Sequence, residues 1–152
     1  MTSIFTAQES EFDALADLWE ASVSVTHDFL QAADIAWLRP RIRHDYLCAL
    51  ELRVCKNAAN AMLGFIGVSG CKVEMLFVAP QARGQGVGKQ LLQYAIAQWG
   101  ISELDVNEQN PQAIGFYQRQ GFVVVGRSPL DSLGKPFPLL HMRLAHAPTV
   151  VT

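Results

Sequence analysis

The sequence predicts one α/β domain with a mixed central sheet of about seven strands and helices on both faces. Three observations lead there. The chain has 152 residues, half of them apolar, which is the size of one domain with a substantial core. Its hydrophobic periodicity switches between helical and strand-like segments in the order β-α-α-β-β-β-α-β-α-β-β. Short turns join the early strands, which predicts antiparallel hairpins, whereas helices separate the later ones, which predicts a β-α-β unit.

Ile4 and Phe5 lie in a short strand-like opening. Phe12, Leu15, Ala16, Trp19 and Val23 recur at helical spacing, so Ser10–Val25 reads as an amphipathic helix. Asp34–Leu47 is a second helical region, which Pro40 is expected to break in two. Glu51–Lys56 and Met62–Val68 alternate as strands around a turn at Asn57–Ala61, and Lys72–Val78 follows the Ser69-Gly70 turn and ends at Pro80. Gly88–Trp99 places Leu91, Leu92, Ala95, Ile96 and Trp99 on one helical face. Glu103–Val106 is a short strand. Pro111 suits the first turn of a helix that runs to Gln120, with Gly121 as its C-cap. Phe122–Gly126 and Leu139–Leu144 are the last strands, and residues 146–152 read as a loose tail beyond a domain at 1–145. Trp19, Trp37 and Trp99 sit on helical faces and read as core.

Composition narrows the function classes. A formal net charge of −2 and a pI near 6.0 argue against a protein that coats nucleic acid or an anionic membrane. No apolar run approaches the roughly 18 residues of a membrane span, and MTSIFTAQESEF lacks the parts of a signal peptide. Cys48, Cys55 and Cys71 show no metal-ligand spacing and read as buried, reduced thiols of a cytoplasmic protein. His27, His44, His141 and His146 are scattered, so no metal is expected.

The chemistry concentrates in Gln81–Ile96, where Gly84, Gly86 and Gly88 run directly into a helix flanked by Arg83 and Lys89. A helix start leaves backbone N–H groups unpaired, and glycines let that backbone wrap an anion. A phosphate or pyrophosphate is the natural guest. The nucleoside-triphosphate loop fails on spacing, because only three residues separate Gly84 from Gly88 and Gln90 replaces the magnesium-binding hydroxyl. The dinucleotide fingerprint meets Lys89 where it needs its third glycine, although Asp105 stands near the distance of a ribose-binding carboxylate.

Val78-Ala79-Pro80-Gln81-Ala82-Arg83-Gly84-Gln85-Gly86-Val87-Gly88 resembles the signature motif of the GNAT acetyltransferases. There an Arg or Gln stands three residues before the first of two spaced small residues, here Arg83, Gly86 and Gly88. Asn110-Pro111-Gln112-Ala113-Ile114-Gly115-Phe116-Tyr117-Gln118-Arg119-Gln120-Gly121-Phe122 resembles a second segment of that family, roughly 20 residues on, at the expected helix. Thr26-His27-Asp28-Phe29-Leu30, Asn107-Glu108-Gln109-Asn110 and Gly134-Lys135-Pro136-Phe137-Pro138-Leu139-Leu140 are similar to its YjaB-type subgroup.

The resemblance implies the GNAT fold and transfer of an acetyl group from acetyl-CoA to a primary amine of a small molecule or a protein, directly in a ternary complex. It implies that Leu76, Phe77 and Val78 pair through their backbone with the pantetheine arm. Arg83, Gly84, Gln85, Gly86, Val87, Gly88 and Lys89 hold the pyrophosphate, and Asn110 and Phe116 lie along the arm. Tyr117 takes the place of the proton donor to the leaving thiolate, and a backbone N–H near Leu76 or Phe77 serves the oxyanion. A half-buried core tyrosine is the plainer reading of Tyr117.

An alkylamine must lose a proton before it attacks. Glu74 is the candidate base, on the assumption that strand alternation puts it on the face of Leu76 and Val78; a solvated Glu and an ordered water chain are equally open. His27 and Phe29 follow the first helix where the family places substrate-facing residues, although a His-Asp pair there also suits a helix cap. Asn107 and His141 join them as acceptor-binding candidates, and Arg127, Ser128, Asp131, Lys135 and Phe137 line a long loop suited to shaping a pocket. The edge strands of such a fold are available for a homodimer. Two rivals stay open: a catalytically silent acyl-CoA-binding regulatory module and a nucleotide-binding oxidoreductase domain.

Overall fold

The protein was analysed as a computed structural model, which describes residues 1–145. The tail expected at 146–152 lies outside the described residues. Seven strands form one sheet: β1 (Thr2–Thr6), β2 (Glu51–Asn57), β3 (Met62–Ser69), β4 (Lys72–Val78), β5 (Glu103–Asn107), β6 (Phe122–Ser128) and β7 (Leu139–Leu144). Their spatial order is β1-β2-β3-β4-β5-β7-β6. Every neighbouring pair is antiparallel except β4 and β5. The mixed sheet therefore has the composition its turns predict: hairpins up to β4, then a crossover through a helix to β5.

The helices are α1 (Phe12–Thr26), α2 (Ala32–Arg41), α3 (Val87–Trp99) and α4 (Pro111–Arg119). Phe65 and Phe77 are cross-strand partners on one face, together with Met75 opposite Gly67. Trp19 of α1 borders a cavity with Met75 and Phe77, which puts α1 on that face. On the opposite face a side chain at Gly64 would meet Val87 and Leu91 of α3. Phe65, Leu15, Ile66, Leu91 and Leu92 are fully buried between the layers. Alternation along β3 supplies both sides of the core, because Leu63 to Val68 are all buried, the pattern of a strand covered on both faces.

The region around Pro40 differs from expectation. The chain stays helical through Pro40, continues as a π-helical turn at Ile42–Tyr46 and closes with a tight turn at Leu47–Ala49. Pro40 has no N–H for the carbonyl one turn earlier, and widening the next turn accommodates that loss without ending the helix. The cysteines differ as well: Cys55 is buried, but Cys48 and Cys71 are exposed.

Between β4 and β5 the sheet opens. Only Lys72 with Glu103 and Val73 with Leu104 are paired. The next residue, Glu74, is an extra residue in β4, since Val73 faces Val68 and Met75 faces Gly67. A bulge bends its strand and raises the local twist. It falls where the pairing with β5 stops, and the remainder of β4 leads away with one edge free.

Candidate active site

The free edge of β4 lines a cleft of about 230 Å³. Leu76, Phe77 and Val78 border it, with Ser22, Thr26 and His27 from the α1 side and Val87, Gly88, Asn110, Phe116 and Tyr117 from α3 and α4. Backbone groups on an unpaired edge are strong donors and acceptors that need partners. An extended ligand carrying amides satisfies them as another strand would.

At one end of the cleft the chain turns into α3. Gly84 and Gly86 both have φ of +80, the left-handed region, and a side chain at either would meet nothing. Gly86 is the N-cap of α3, and its carbonyl accepts from Gln90 N–H at 2.9 Å. Among the described residues, the N–H groups of Gly84 through Lys89 have no hydrogen-bond partner. Arg83 N–H, expected in this set, is turned inward to the Pro80 carbonyl at 3.4 Å. An adjoining groove of about 540 Å³ carries the cations of Arg83, Lys89 and Arg119. Arg83 is steered across to α4, where Nη2 donates to Gln112 Oε1 at 2.7 Å. Six consecutive free N–H groups, the positive end of a helix and three cations fit a diphosphate.

Asn110 and Tyr117 are buried on α4, at 8% exposure each. Asn110 caps the helix, its Oδ1 accepting from Ala113 N–H at 3.2 Å. A side chain on Gly88 would meet the Phe116 ring at 3.5 Å, an ordinary contact distance, so α3 and α4 lie side by side at the cleft. Burial pushes the Tyr117 phenol above its ordinary value, and its hydroxyl makes no hydrogen bond to a described residue. It borders the cleft as a neutral proton donor without a partner.

His27 closes the other end. Thr26 Oγ1 donates its proton to the Ser22 carbonyl at 2.9 Å, so at its 2.7 Å contact with His27 Nδ1 it can only accept. With the hydroxyl proton on that carbonyl, the matching imidazole tautomer donates from Nδ1 and keeps its lone pair on Nε2. Burial lowers the His27 pKa, partly opposed by the charge of Asp28, and holds the ring neutral. His27 also borders a second cavity, of about 170 Å³, with Phe29, Asp34, Asn107, Asp131, Lys135 and Phe137. One histidine thus joins the cleft to a smaller pocket made by the α1–α2 and β6–β7 connections.

Residues 44–124 match the acetyltransferase (GNAT) domain family. The chain belongs to the GNAT acetyltransferases. It is 40% identical over 142 residues to the peptidyl-lysine N-acetyltransferase YjaB of Salmonella typhimurium, covering 93% of this chain and 97% of that protein. The solution structure of apo-form YjaB from Escherichia coli superposes with a TM-score of 0.87 at 39% identity, over 97% of this chain and 99% of that one. PaiA N-acetyltransferase of Thermoplasma acidophilum, solved with coenzyme A, shares the fold at a TM-score of 0.71 and 20% identity, over 93% and 98% of the two chains. This GNAT enzyme is an acetyl-CoA-dependent N-acetyltransferase, as its two motifs implied. Nothing favours the silent binding module. The oxidoreductase alternative fails on the antiparallel strands before the loop and on Asp105, which is engaged by Lys72 and His141.

Most of the sequence-derived site residues of the acetyltransferase converge, but Glu74 and His141 do not. Gln85 is exposed and donates from Nε2 to the Gln81 carbonyl at 3.3 Å, so it offers its backbone alone. Glu74 is exposed and lines a different cavity with Trp19, Tyr46, Phe77 and Ser132, because the bulge breaks the alternation that would have aligned it with Leu76 and Val78. His141 lines neither the cleft nor the smaller pocket; Nδ1 contacts Asp105 Oδ1 at 2.6 Å and Nε2 contacts Ser128 Oγ at 2.7 Å. Burial raises the Asp105 pKa, but hydrogen bonds from Lys72 and His141 outweigh it and hold the carboxyl below its ordinary value. Trp37 is on the surface, under the Arg41 guanidinium at 3.5 Å and the Lys135 ammonium at 4.3 Å. Gln112 and Arg119 were not singled out beforehand; their helical spacing from Phe116 and the facing Arg83 is the signal for them. Among the described residues no group of His, Cys, Asp and Glu gathers as a metal site, and no helix is long and apolar enough to cross a membrane.

Two outcomes follow from this geometry. Gly86→Val forces a branched side chain into the left-handed region at a cost of about 1–2 kcal/mol. Calorimetry should show acetyl-CoA binding weakened by roughly tenfold, with the fold retained. His27 is neutral when folded and gains a proton more readily when unfolded, so the unfolded state binds more protons below pH 6.5. Stability should be constant above that pH and fall as pH drops through the window beneath it. Urea titrations of His27→Gln should show a shallower acid loss.

Proposed function

We propose that the acceptor is a lysine side chain of a protein, acetylated by direct attack on acetyl-CoA in one ternary complex. The observation that carries this is the cleft where β4 leaves β5: a free backbone edge, a phosphate-binding helix start at one end and a neutral histidine opening to a second pocket at the other. Relatives at 36–41% identity are named peptidyl-lysine N-acetyltransferases. The smaller pocket suits an amine on an alkyl stem, with Phe29 and Phe137 as walls, their centroids 5.6 Å apart, and Asp34 and Asp131 as carboxylates.

Free N–H groups of Gly84 to Lys89 hold the diphosphate, and the unpaired edge of β4 aligns the amide-bearing arm. Acetyl-CoA supplies an acetyl group activated as a thioester. The incoming ammonium, with a pKa near ~10.4 in water, must first lose a proton. His27 Nε2 is the acceptor for it, since its lone pair is free and its ring is neutral. The amine then forms the C–N bond as the C–S bond breaks, and the Tyr117 hydroxyl protonates the departing thiolate. Surface thiols at Cys48 and Cys71 suit the reducing cytoplasm.

A panel of lysine peptides and small polyamines, followed by release of free thiol, tests the acceptor class; turnover of polyamines with none of any peptide overturns it. Tyr117→Phe should lower kcat by about 10²-fold or more while acetyl-CoA affinity stays the same. His27→Gln should lower kcat/KM and abolish the acidic limb of its pH profile, which in the wild type lies below pH 6.5.

A further inference from the structure

We propose that Lys135 is an acetylation site of the enzyme itself, modified by its own chain when no other acceptor is present. The inference rests on reading the 170 Å³ cavity beside His27 as the acceptor pocket.

The chain has four lysines, Lys56, Lys72, Lys89 and Lys135. Lys56 is held by Glu11 Oε2 at 2.7 Å, and Lys72 by Asp105 Oδ2 at 2.7 Å. Lys89 stands at the phosphate-binding turn, in the groove with Arg83 and Arg119. Lys135 alone lines the acceptor cavity, and it has no carboxylate partner among the described residues. Its ammonium rests over Trp37, an indole already covered by Arg41 at 3.5 Å. A cation–π contact on a surface indole is weak, so Lys135 can leave it.

The backbone beneath this side chain is held firmly. Asp131 Oδ1 accepts from Lys135 N–H at 2.8 Å and from Leu133 N–H at 2.9 Å. Asp131 N–H in turn donates to the Lys135 carbonyl at 2.9 Å. Phe137 packs on Phe29 and ties the same loop to the α1–α2 connection. A fixed backbone thus roots a flexible four-carbon stem at the pocket that opens through His27 to the cleft, which its amine reaches on leaving Trp37. Such an amine has the high effective concentration of an intramolecular reactant. Nζ gives up a proton through His27, forms a bond to the acetyl carbon and displaces coenzyme A as the thiolate, which is protonated by Tyr117. The balance is Lys135 ammonium plus acetyl-CoA to Nε-acetyl-Lys135, free coenzyme A thiol and one proton.

The purified protein incubated with acetyl-CoA alone should gain the mass of one acetyl group, and peptide mapping should place it on Lys135. The rate constant should not change with protein concentration, and Tyr117→Phe should slow it. Lys135→Arg should stay unlabelled, yet acetyl-CoA should still raise its Tm, which shows fold and donor site intact. Label on Lys56, Lys72 or Lys89 with Lys135 untouched overturns the inference, as does an observed rate constant that rises with protein concentration or equal labelling of Tyr117→Phe. Acetylation of lysine peptide in one reaction, with Lys135 unlabelled in the parallel reaction that lacks peptide, sinks this inference and leaves the proposed function standing. Failure of both, with acetyl-CoA still stabilising the protein, sinks the two together.

Discussion

Two ladder pairs join β4 to β5, and everything else in the site depends on that pairing stopping there. Buried backbone groups without partners are costly, so a sheet rarely opens in its middle. Here the bulge at Glu74 turns β4 aside just past the last pair, while Lys72 and Asp105 tie the closed end across the two strands at 2.7 Å. The open end is then filled from both layers, by α1 through Ser22 and Thr26 and by α3 and α4 through Val87, Gly88 and Phe116. The result is a slot whose walls are apolar side chains and whose floor is unspent hydrogen-bonding capacity. An acyl thioester on a long amide-bearing arm matches that combination.

The same physical effect acts on two residues of the cleft in opposite senses. Desolvation disfavours charge whichever sign it has. On Tyr117 it favours the phenol that still holds its proton; on His27 it favours the imidazole that has a lone pair to offer. The Thr26 hydroxyl, shared between the Ser22 carbonyl and His27 Nδ1, links the imidazole tautomer to the last turn of α1. Burial thus keeps both Tyr117 and His27 uncharged along one cleft.

The far half of the sheet has a stabilising task. Lys72, Asp105, His141 and Ser128 form a continuous hydrogen-bonded run across β4, β5, β7 and β6. Each member satisfies the next, and the run spans the rows beside the opening. His141 is therefore occupied in holding strands together, and the loop it precedes in space is steered instead by Asp131 and by Phe137 against Phe29.

Element order, the hairpins, the glycine turn into α3 and the capped helix that carries Tyr117 were legible from the amino-acid sequence because each is local. Periodicity is set by one element's own geometry, glycines at 84 and 86 declare their backbone conformation, and Asn110 to Gly121 carries its own cap and stop. What required the folded chain were relations between distant segments. A one-residue bulge moved Glu74 off the face that alternation assigned to it. Pairing of β5 with β7 put Asp105 against His141, and the α3–α4 approach brought Arg119 and Gln112 beside Arg83. The pocket that joins His27 to Lys135 draws on two connections more than a hundred residues apart. Strand register and loop packing are settled by the sum of many tertiary contacts, and no single stretch of sequence contains that sum.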